Sequence, residues 1–178
     1  MKRMAVQVAV LLACAASLSG QAPTAPKPGP EHERLGVFVG NWTFVGEMKP
    51  GPMGPGGKMT GSDRLQWMPG NFFVERRFEG KGPMGQISGL EILGYDAAKK
   101  AHTFTFVDSM GSMGAGTMTV SGNTWTFNGT TSMGGKSMQE RCTLEFGAGG
   151  GTLKIACGSS PDGKSFTPMF EGTATKSK

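Results

Sequence analysis

The chain of 178 residues contains 18 Lys and Arg against 13 Asp and Glu, which gives a formal net charge of +5. This length suits one domain with appendages, and so small and scattered a charge, with no basic run, argues against nucleic-acid binding. Glycine is very frequent, at 30 residues beside 11 prolines, but apolar residues still recur at strand spacing. The composition therefore indicates a turn-rich β domain and not a disordered chain.

Residues 1–20 have the pattern of a cleaved export signal. Lys2 and Arg3 form a positive segment, an apolar uncharged stretch follows, and small residues lead up to Gly20. The apolar stretch is too short to cross a bilayer core of ~30 Å. We expect cleavage near Gly20 and a periplasmic or secreted protein. The alternative is cleavage before Cys14, where Leu-Leu-Ala-Cys loosely resembles a lipobox, and a lipid anchor there would be the only membrane attachment.

The rest of the chain divides into a linker and one folded domain. Residues 21–33 are proline-rich and lack a hydrophobic period, so we expect an extended, semi-stiff linker. The domain is predicted over residues 34–176, where strand-like runs alternate with turn residues and no amphipathic helix is predicted. The predicted strands are 37–48, a run around Trp67, 72–78, 87–95, 102–108, 117–120, 124–128, 141–146, 152–157 and 165–175.

Short links between successive strands predict an antiparallel meander. Closing such a sheet into a barrel removes its exposed edges. The predicted fold class is therefore all-β, an antiparallel meander β-barrel of about ten strands.

A disulfide is predicted between the two strands that flank the GAGGG turn. Suppose that Phe146 faces Leu153 across this hairpin. The same register then places Cys142 opposite Cys157, on the same apolar face. Directly opposite Cα atoms lie ~4.5–5.5 Å apart, which permits a disulfide, and an exported protein meets an oxidising compartment. We predict a Cys142–Cys157 bridge, with two buried free thiols as the alternative.

Several short motifs follow one another in order along the domain. They are PEHERL at 30–35, GNW at 40–42, MPGNFFVERRFEG at 68–80, LGYD at 93–96 and FVDSMG at 106–111. Together they resemble the bacterial family of exported proteins called domain of unknown function fifteen-seventy-nine, over most of residues 30–129. The family's usual Leu-Gly-Gly-Arg turn is Met-Pro-Gly-Asn here, at residues 68–71. The resemblance implies a lipocalin-like β-barrel and brings no assigned activity or catalytic residues.

The first strand also resembles the lipocalin fingerprint Gly-x-Trp, whose tryptophan closes the base of the barrel. With Trp42 in that role, Phe38, Gly40 and Phe44 share its inward face, because side chains alternate along a strand. We expect Gly40 and Gly46 to give the bend that closure needs. Over the whole domain, the predicted ligand-binding residues are Trp42, Phe44, Trp67, Phe72, Arg76, Phe78, Phe104, Phe106 and Trp125.

Arg76 is a charged residue on the otherwise apolar face of its predicted strand. A buried guanidinium keeps its charge and needs a partner, and we expect Glu91 or Asp108 to supply it. The functional interpretation is an anchor for the anionic head group of an amphipathic ligand inside an apolar cavity. The alternative is a structural ion pair at the mouth of the barrel.

No catalytic, cofactor or metal pattern stands out. The chain has no Ser/His/Asp arrangement, no phosphate-binding glycine loop before a helix and no metal-spaced His/Cys cluster, so none of these sites is predicted. His102 is expected at the surface, and His32 is expected to cap the domain. Haem-binding barrels with a similar Gly-x-Trp start use a histidine near the C-terminus, and this chain has none after His102.

The chain has 13 methionines, many of them beside glycine. Thioethers select Cu(I), and exported copper carriers use such clusters, so a copper site in loops such as the one with Met110 and Met113 is one interpretation. Flexible apolar filling at the barrel mouth, where methionine adapts to varied ligands, is the other.

The sequence favours the binding of a small apolar or amphipathic molecule by an exported barrel. A structural or envelope-interaction barrel without ligand is the second hypothesis, and an enzyme, with two titratable groups converging in the cavity, is the third. A binder needs an interior cavity larger than ~300 Å³, whereas aromatic side chains fill a structural barrel. The ligand and the oligomeric state are left open.

Overall fold

A computed structural model describes residues 25–51 and 54–177. The predicted signal at 1–20, with Cys14, and Met53 lie outside the described residues. The elements are α1 (Pro30–Glu33), a 3-10 helix (Arg34–Val37), β1 (Gly40–Met48), β2 (Gly57–Trp67), β3 (Val74–Gly82), β4 (Gly85–Asp96), β5 (Ala101–Asp108), β6 (Met113–Ser121), β7 (Thr124–Met133), β8 (Lys136–Phe146), a second 3-10 helix (Ala148–Gly150), β9 (Thr152–Ser160) and β10 (Thr167–Lys176). None of the helices described is long and apolar enough to cross a membrane.

The ten strands form one closed antiparallel barrel. Each strand pairs with its neighbours in sequence, and β1 pairs with β10 to close the sheet. Closure leaves no row of unpaired backbone groups at a sheet edge. The predicted all-β meander barrel is therefore confirmed.

Strand β2 is much longer than the short run predicted around Trp67. It begins at Gly57, and glycine, methionine and aspartate occupy its inward positions before Leu65. The alternation of apolar and polar residues that indicates a strand is weak where the inward residues are small or charged. The first half of β2 could therefore not be predicted from it.

The segment before β1 closes one end of the barrel. Residues 30–33, predicted as the end of an extended linker, are helical, and the 3-10 helix that follows buries Leu35 completely. The indole Nε1 of Trp42 donates a hydrogen bond to the Phe38 carbonyl at 2.8 Å, and both side chains are buried. Trp42 therefore has the role at the base of the barrel that the Gly-x-Trp resemblance implied. We call this covered end the closed end.

We call the segment before β1, residues 30–39, the cap. Two histidines connect it to the barrel. The ring of His32 packs edge-on against Phe72, with centroids 5.1 Å apart, as expected of a capping residue. His102 was expected at the surface, and that expectation is wrong because the cap covers the first residues of β5. Its side chain is buried, with Nε2 2.8 Å from the Glu31 carbonyl oxygen.

The hairpin β8–β9 has the predicted register. Phe146 pairs with Leu153, and Cys142 pairs with Cys157. The two cysteines form a disulfide, with their Cα atoms 4.0 Å apart. This register places the disulfide on the same face of the hairpin as its apolar residues. The disulfide therefore faces the barrel interior.

Replacing both Cys142 and Cys157 with alanine should lower the free energy of unfolding by about 3 kcal/mol, because the bridge restricts the unfolded chain. The closed loop spans a sequence separation of 15 residues. Urea unfolding followed by tryptophan fluorescence measures the loss. Reductant should destabilise the wild-type protein to the level of the double variant and leave that variant unchanged. Wild-type protein with both thiols open to alkylation would contradict the bridge.

A hollow interior as the candidate binding site

The barrel encloses a cavity of about 330 Å³, which is larger than the minimum set for a binding barrel. It begins above Phe38 and Trp42 at the closed end and reaches Met48 and Asp108, the last residues of β1 and β5. The loops β1–β2, β3–β4, β5–β6, β7–β8 and β9–β10 surround the opposite, open end. The predicted ligand-binding residues that line this cavity are Trp42, Phe44, Arg76, Phe78, Phe104 and Phe106.

The other predicted ligand-binding residues lie outside the cavity. Trp67 packs against the core at the closed end, and Phe72 lies in the turn before β3, against the ring of His32. Trp125 is buried in the core, with its ring centroid 5.0 Å from that of Phe38. Alternation along a strand predicts which face of the sheet a side chain is on, but not how far along the barrel axis it lies. These three residues lie near the closed end, at the level of the cap.

Phenylalanine rings line the cavity without filling it, because they lie over inward-facing glycines. The directly paired residues on neighbouring strands are Phe44 with Gly61, Phe78 with Gly89, and Phe106 with Gly114. A Cβ atom built on any of these glycines would overlap atoms of the paired ring. The missing side chain leaves a recess in the wall, and the end of the ring occupies it.

Further rings also cover glycines that are not directly paired with them. Phe104 pairs with Gly116 and reaches Gly129, whose Cβ would lie 2.6 Å from the ring. Phe170 covers Gly46, whose Cβ would lie 2.5 Å from its ring. Gly46 was predicted to provide a bend, and in the structure it provides the space for this ring.

Arg76 points into the cavity, as its strand alternation predicted. Its Nε and Nη2 donate to Asp63 Oδ1 at 3.1 and 2.9 Å, and its Nη1 donates to Glu91 Oε2 at 2.8 Å. The guanidinium also lies 4.9 Å from the centroid of the Phe78 ring. Burial acts to lower the pKa of Arg76, but the carboxylates of Asp63 and Glu91 outweigh it, and the pKa is raised.

These contacts support the structural ion pair over the anchor for an anionic head group. Glu91 is a partner as expected, whereas Asp108 accepts the backbone N–H groups of Met110 and Ser112 at 2.9 and 3.0 Å. The second partner is Asp63, two residues before Leu65 on the inward face of β2. The sequence contained that alternation, but the strand was predicted only around Trp67.

Glu140 is a further cavity residue that sequence reasoning missed. It lies on β8 two residues before Cys142, so its position on the inward face followed from the predicted disulfide register. Burial raises the pKa of its carboxyl above the ordinary value, and a hydrogen bond with Thr131 partly offsets the rise. The cavity therefore combines an apolar wall with more acidic than basic groups.

The methionines are divided between the cavity and the surface. Met48, Met59 and Met169 line the cavity, but Met110 and Met113 do not, and the exposed fraction of Met113 is 60%. Within residues 25–51 and 54–177, no group of three His, Cys, Asp or Glu side chains is placed to hold a metal ion. Met48, Met59 and Met169 contribute to the apolar lining of the cavity.

The fold and the cavity define a class of small antiparallel barrels with a hollow, mostly apolar interior. The chain belongs to the family described as Protein of unknown function (DUF1579), which matches residues 27–168. The family resemblance drawn from the motifs is therefore confirmed. No curated protein matches the chain in sequence.

Solved structures share the fold. The crystal structure of Rv2717c from M. tuberculosis is 11% identical, with a TM-score of 0.61 over 84% of this chain and 99% of that one. The S-type phycobiliprotein lyase CPES from Guillardia theta is 13% identical, with a TM-score of 0.55 over 83% of this chain and 93% of that one. At these identities the similarity shows the barrel fold alone.

Replacing Arg76 with Met should lower the free energy of unfolding by about 3 kcal/mol, because it leaves Asp63 and Glu91 buried without their cation. This is the lower end of the usual range, since the side chain of Arg76 is 32% exposed. Arg77→Met is the matched control, because that side chain is 64% exposed on the outer face. It should change stability by less than about 0.5 kcal/mol in the same urea titration. Equal effects of the two variants would contradict the inward ion pair.

Replacing Glu140 with Gln should stabilise the protein without ligand at about pH 7 and leave its stability almost unchanged at about pH 4. The folded-state pKa of Glu140 lies above its ordinary value. The folded protein therefore binds more protons than the unfolded chain, and its stability falls as pH rises through this window. Thermal unfolding of both proteins across this range measures the difference. A difference that does not vary with pH would contradict the burial of this carboxyl.

Proposed function

We propose that the barrel binds one small, largely apolar molecule in its hollow interior. The observation that carries this proposal is the cavity of about 330 Å³, lined by phenylalanine rings that rest on glycines. The cap closes one end, so a ligand enters from the opposite end. Concave, largely apolar sites with a few polar groups are the usual form of small-molecule sites.

The energetics of the wall favour a binder over a structural barrel. A glycine within a strand costs roughly 0.5–1 kcal/mol relative to alanine, and an unfilled apolar cavity forgoes packing energy. The space over Gly61, Gly89 and Gly114 is already occupied by the rings. A barrel with only a structural role would gain stability from side chains that fill its centre. The wall keeps this space at the expense of stability, which supports a ligand as its occupant.

The charged groups favour binding over catalysis. Asp63 and Glu91 converge in the cavity, but the same guanidinium holds both of them. A general base or nucleophile needs a free proton-transfer partner within hydrogen-bond reach of a substrate. The Arg76 cluster is better suited to give the cavity a fixed polar side.

The proposed place of action is outside the cytoplasm, in the periplasm or secreted. The Cys142–Cys157 bridge supports this, because disulfides persist in oxidising compartments. The export pattern of residues 1–20 supports it independently.

A fluorescence titration with N-phenyl-1-naphthylamine, an uncharged apolar probe, tests the proposed function. The wild-type protein should bind it saturably at one site. Gly114→Ala should weaken binding about tenfold, because the added methyl pushes the Phe106 ring into the cavity. Gly151→Ala is the matched control, since its φ is −91° and no atom lies within 4 Å of its Cβ position. Wild-type protein without saturable binding, or equal losses in both variants, would rule out the cavity as the site.

A further inference from the structure

We infer that the ligand of this cavity carries a cationic group, and that Glu140 is its counter-ion. This inference rests on the proposed function and adds the chemical class of the ligand. It predicts an amine or ammonium joined to an apolar body, and it departs from the anionic head group that the sequence suggested.

The charge balance of the cavity wall is the first observation. The ionisable side chains that line the cavity are Asp63, Arg76, Glu91, Asp108 and Glu140. Arg76 is the only cation among them, and two carboxylates already bind it. No positive charge remains for an anion, and an anionic head group would add to the excess of negative charge.

Unlike Asp63 and Glu91, the carboxylate of Glu140 has no charged side chain as a partner among the described residues. Its paired residues are Gly129 on β7 and Ser159 on β9, neither of which carries a charge. Arg141, the next residue, lies on the outer face, where its guanidinium stacks on Phe166. In the part of the chain that the structure describes, no Lys, Arg or His forms an ion pair with Glu140.

A carboxylate in this position needs a cation that the protein does not provide. Partial burial makes its charged form costly, as the raised pKa of Glu140 reflects. A ligand ammonium would supply both the opposite charge and a charge-assisted hydrogen bond. Asp108 lacks this need, because backbone N–H groups satisfy it.

The aromatic wall is a second, independent feature that suits a cation. The guanidinium of Arg76 already lies over the Phe78 ring, 4.9 Å from its centroid. Phe44, Phe104, Phe106 and Phe170 line the same cavity. The negative face of an aromatic ring attracts ammonium groups, and sites for organic cations use several such faces.

Three probes with one shared decyl chain separate the head group from the apolar body. Decylamine is a cation at about pH 7, decanol is neutral and decanoate is an anion. Below micelle-forming concentrations, each is titrated against the N-phenyl-1-naphthylamine complex, and the displacement of that probe is measured. The full chain has a net charge of +5, so a general electrostatic effect would favour decanoate instead.

The wild-type protein should bind decylamine most tightly, decanol less tightly and decanoate most weakly. Glu140→Gln should weaken decylamine binding about tenfold or more and leave decanol within about twofold. The matched control is Glu145→Gln, an exposed carboxylate on the outer face of the same strand. This control should leave all three affinities unchanged.

The outcomes separate this inference from the proposed function. If the naphthylamine probe and decanol both fail to bind, the proposed function fails, and the inference fails with it. If both bind but decylamine has no advantage over decanol, the inference alone is overturned. A decylamine preference that survives in Glu140→Gln, or that falls equally in Glu145→Gln, also overturns it.

Discussion

The packing of phenylalanine rings on inward glycines is the constraint on which this barrel depends. Each glycine makes room for part of a ring, so aromatic residues add apolar surface while the centre stays open. Phe106 over Gly114 illustrates the arrangement, because the ring occupies the space of the absent side chain. The size of the cavity, its apolar wall and its aromatic faces all follow from that arrangement.

The apolar wall determines how strongly the charged groups of the cavity interact. In water the cluster of Arg76, Asp63 and Glu91 would contribute little, but partial burial makes each of its charges depend on the others. The cluster therefore fixes the orientation of three strands, β2, β3 and β4, around one guanidinium. Glu140 lies outside that network, which is why its carboxyl, and not the arginine, gives the cavity its selectivity for charge.

Sequence reasoning predicted those features that depend on alternation within one strand or across one tight turn. The inward faces of Phe44, Phe78 and Arg76 follow from period two, and the GAGGG turn fixes the pairing of Cys142 with Cys157. Contacts that need the closed barrel were beyond it. The glycine beneath each ring lies on another strand, so the pair becomes visible only when the register is known. The burial of His102 depends on a contact with Glu31, in a segment that was predicted as a linker.

The interior of the folded barrel is open because the rings rest on glycines. A crystal structure determined under xenon pressure tests this most directly, since xenon binds in apolar cavities that are open and dry. Xenon should bind within the barrel, between the rings of Phe44, Phe78 and Phe106, with each ring over its glycine. Rings turned into the centre, with no xenon inside the barrel, would contradict it.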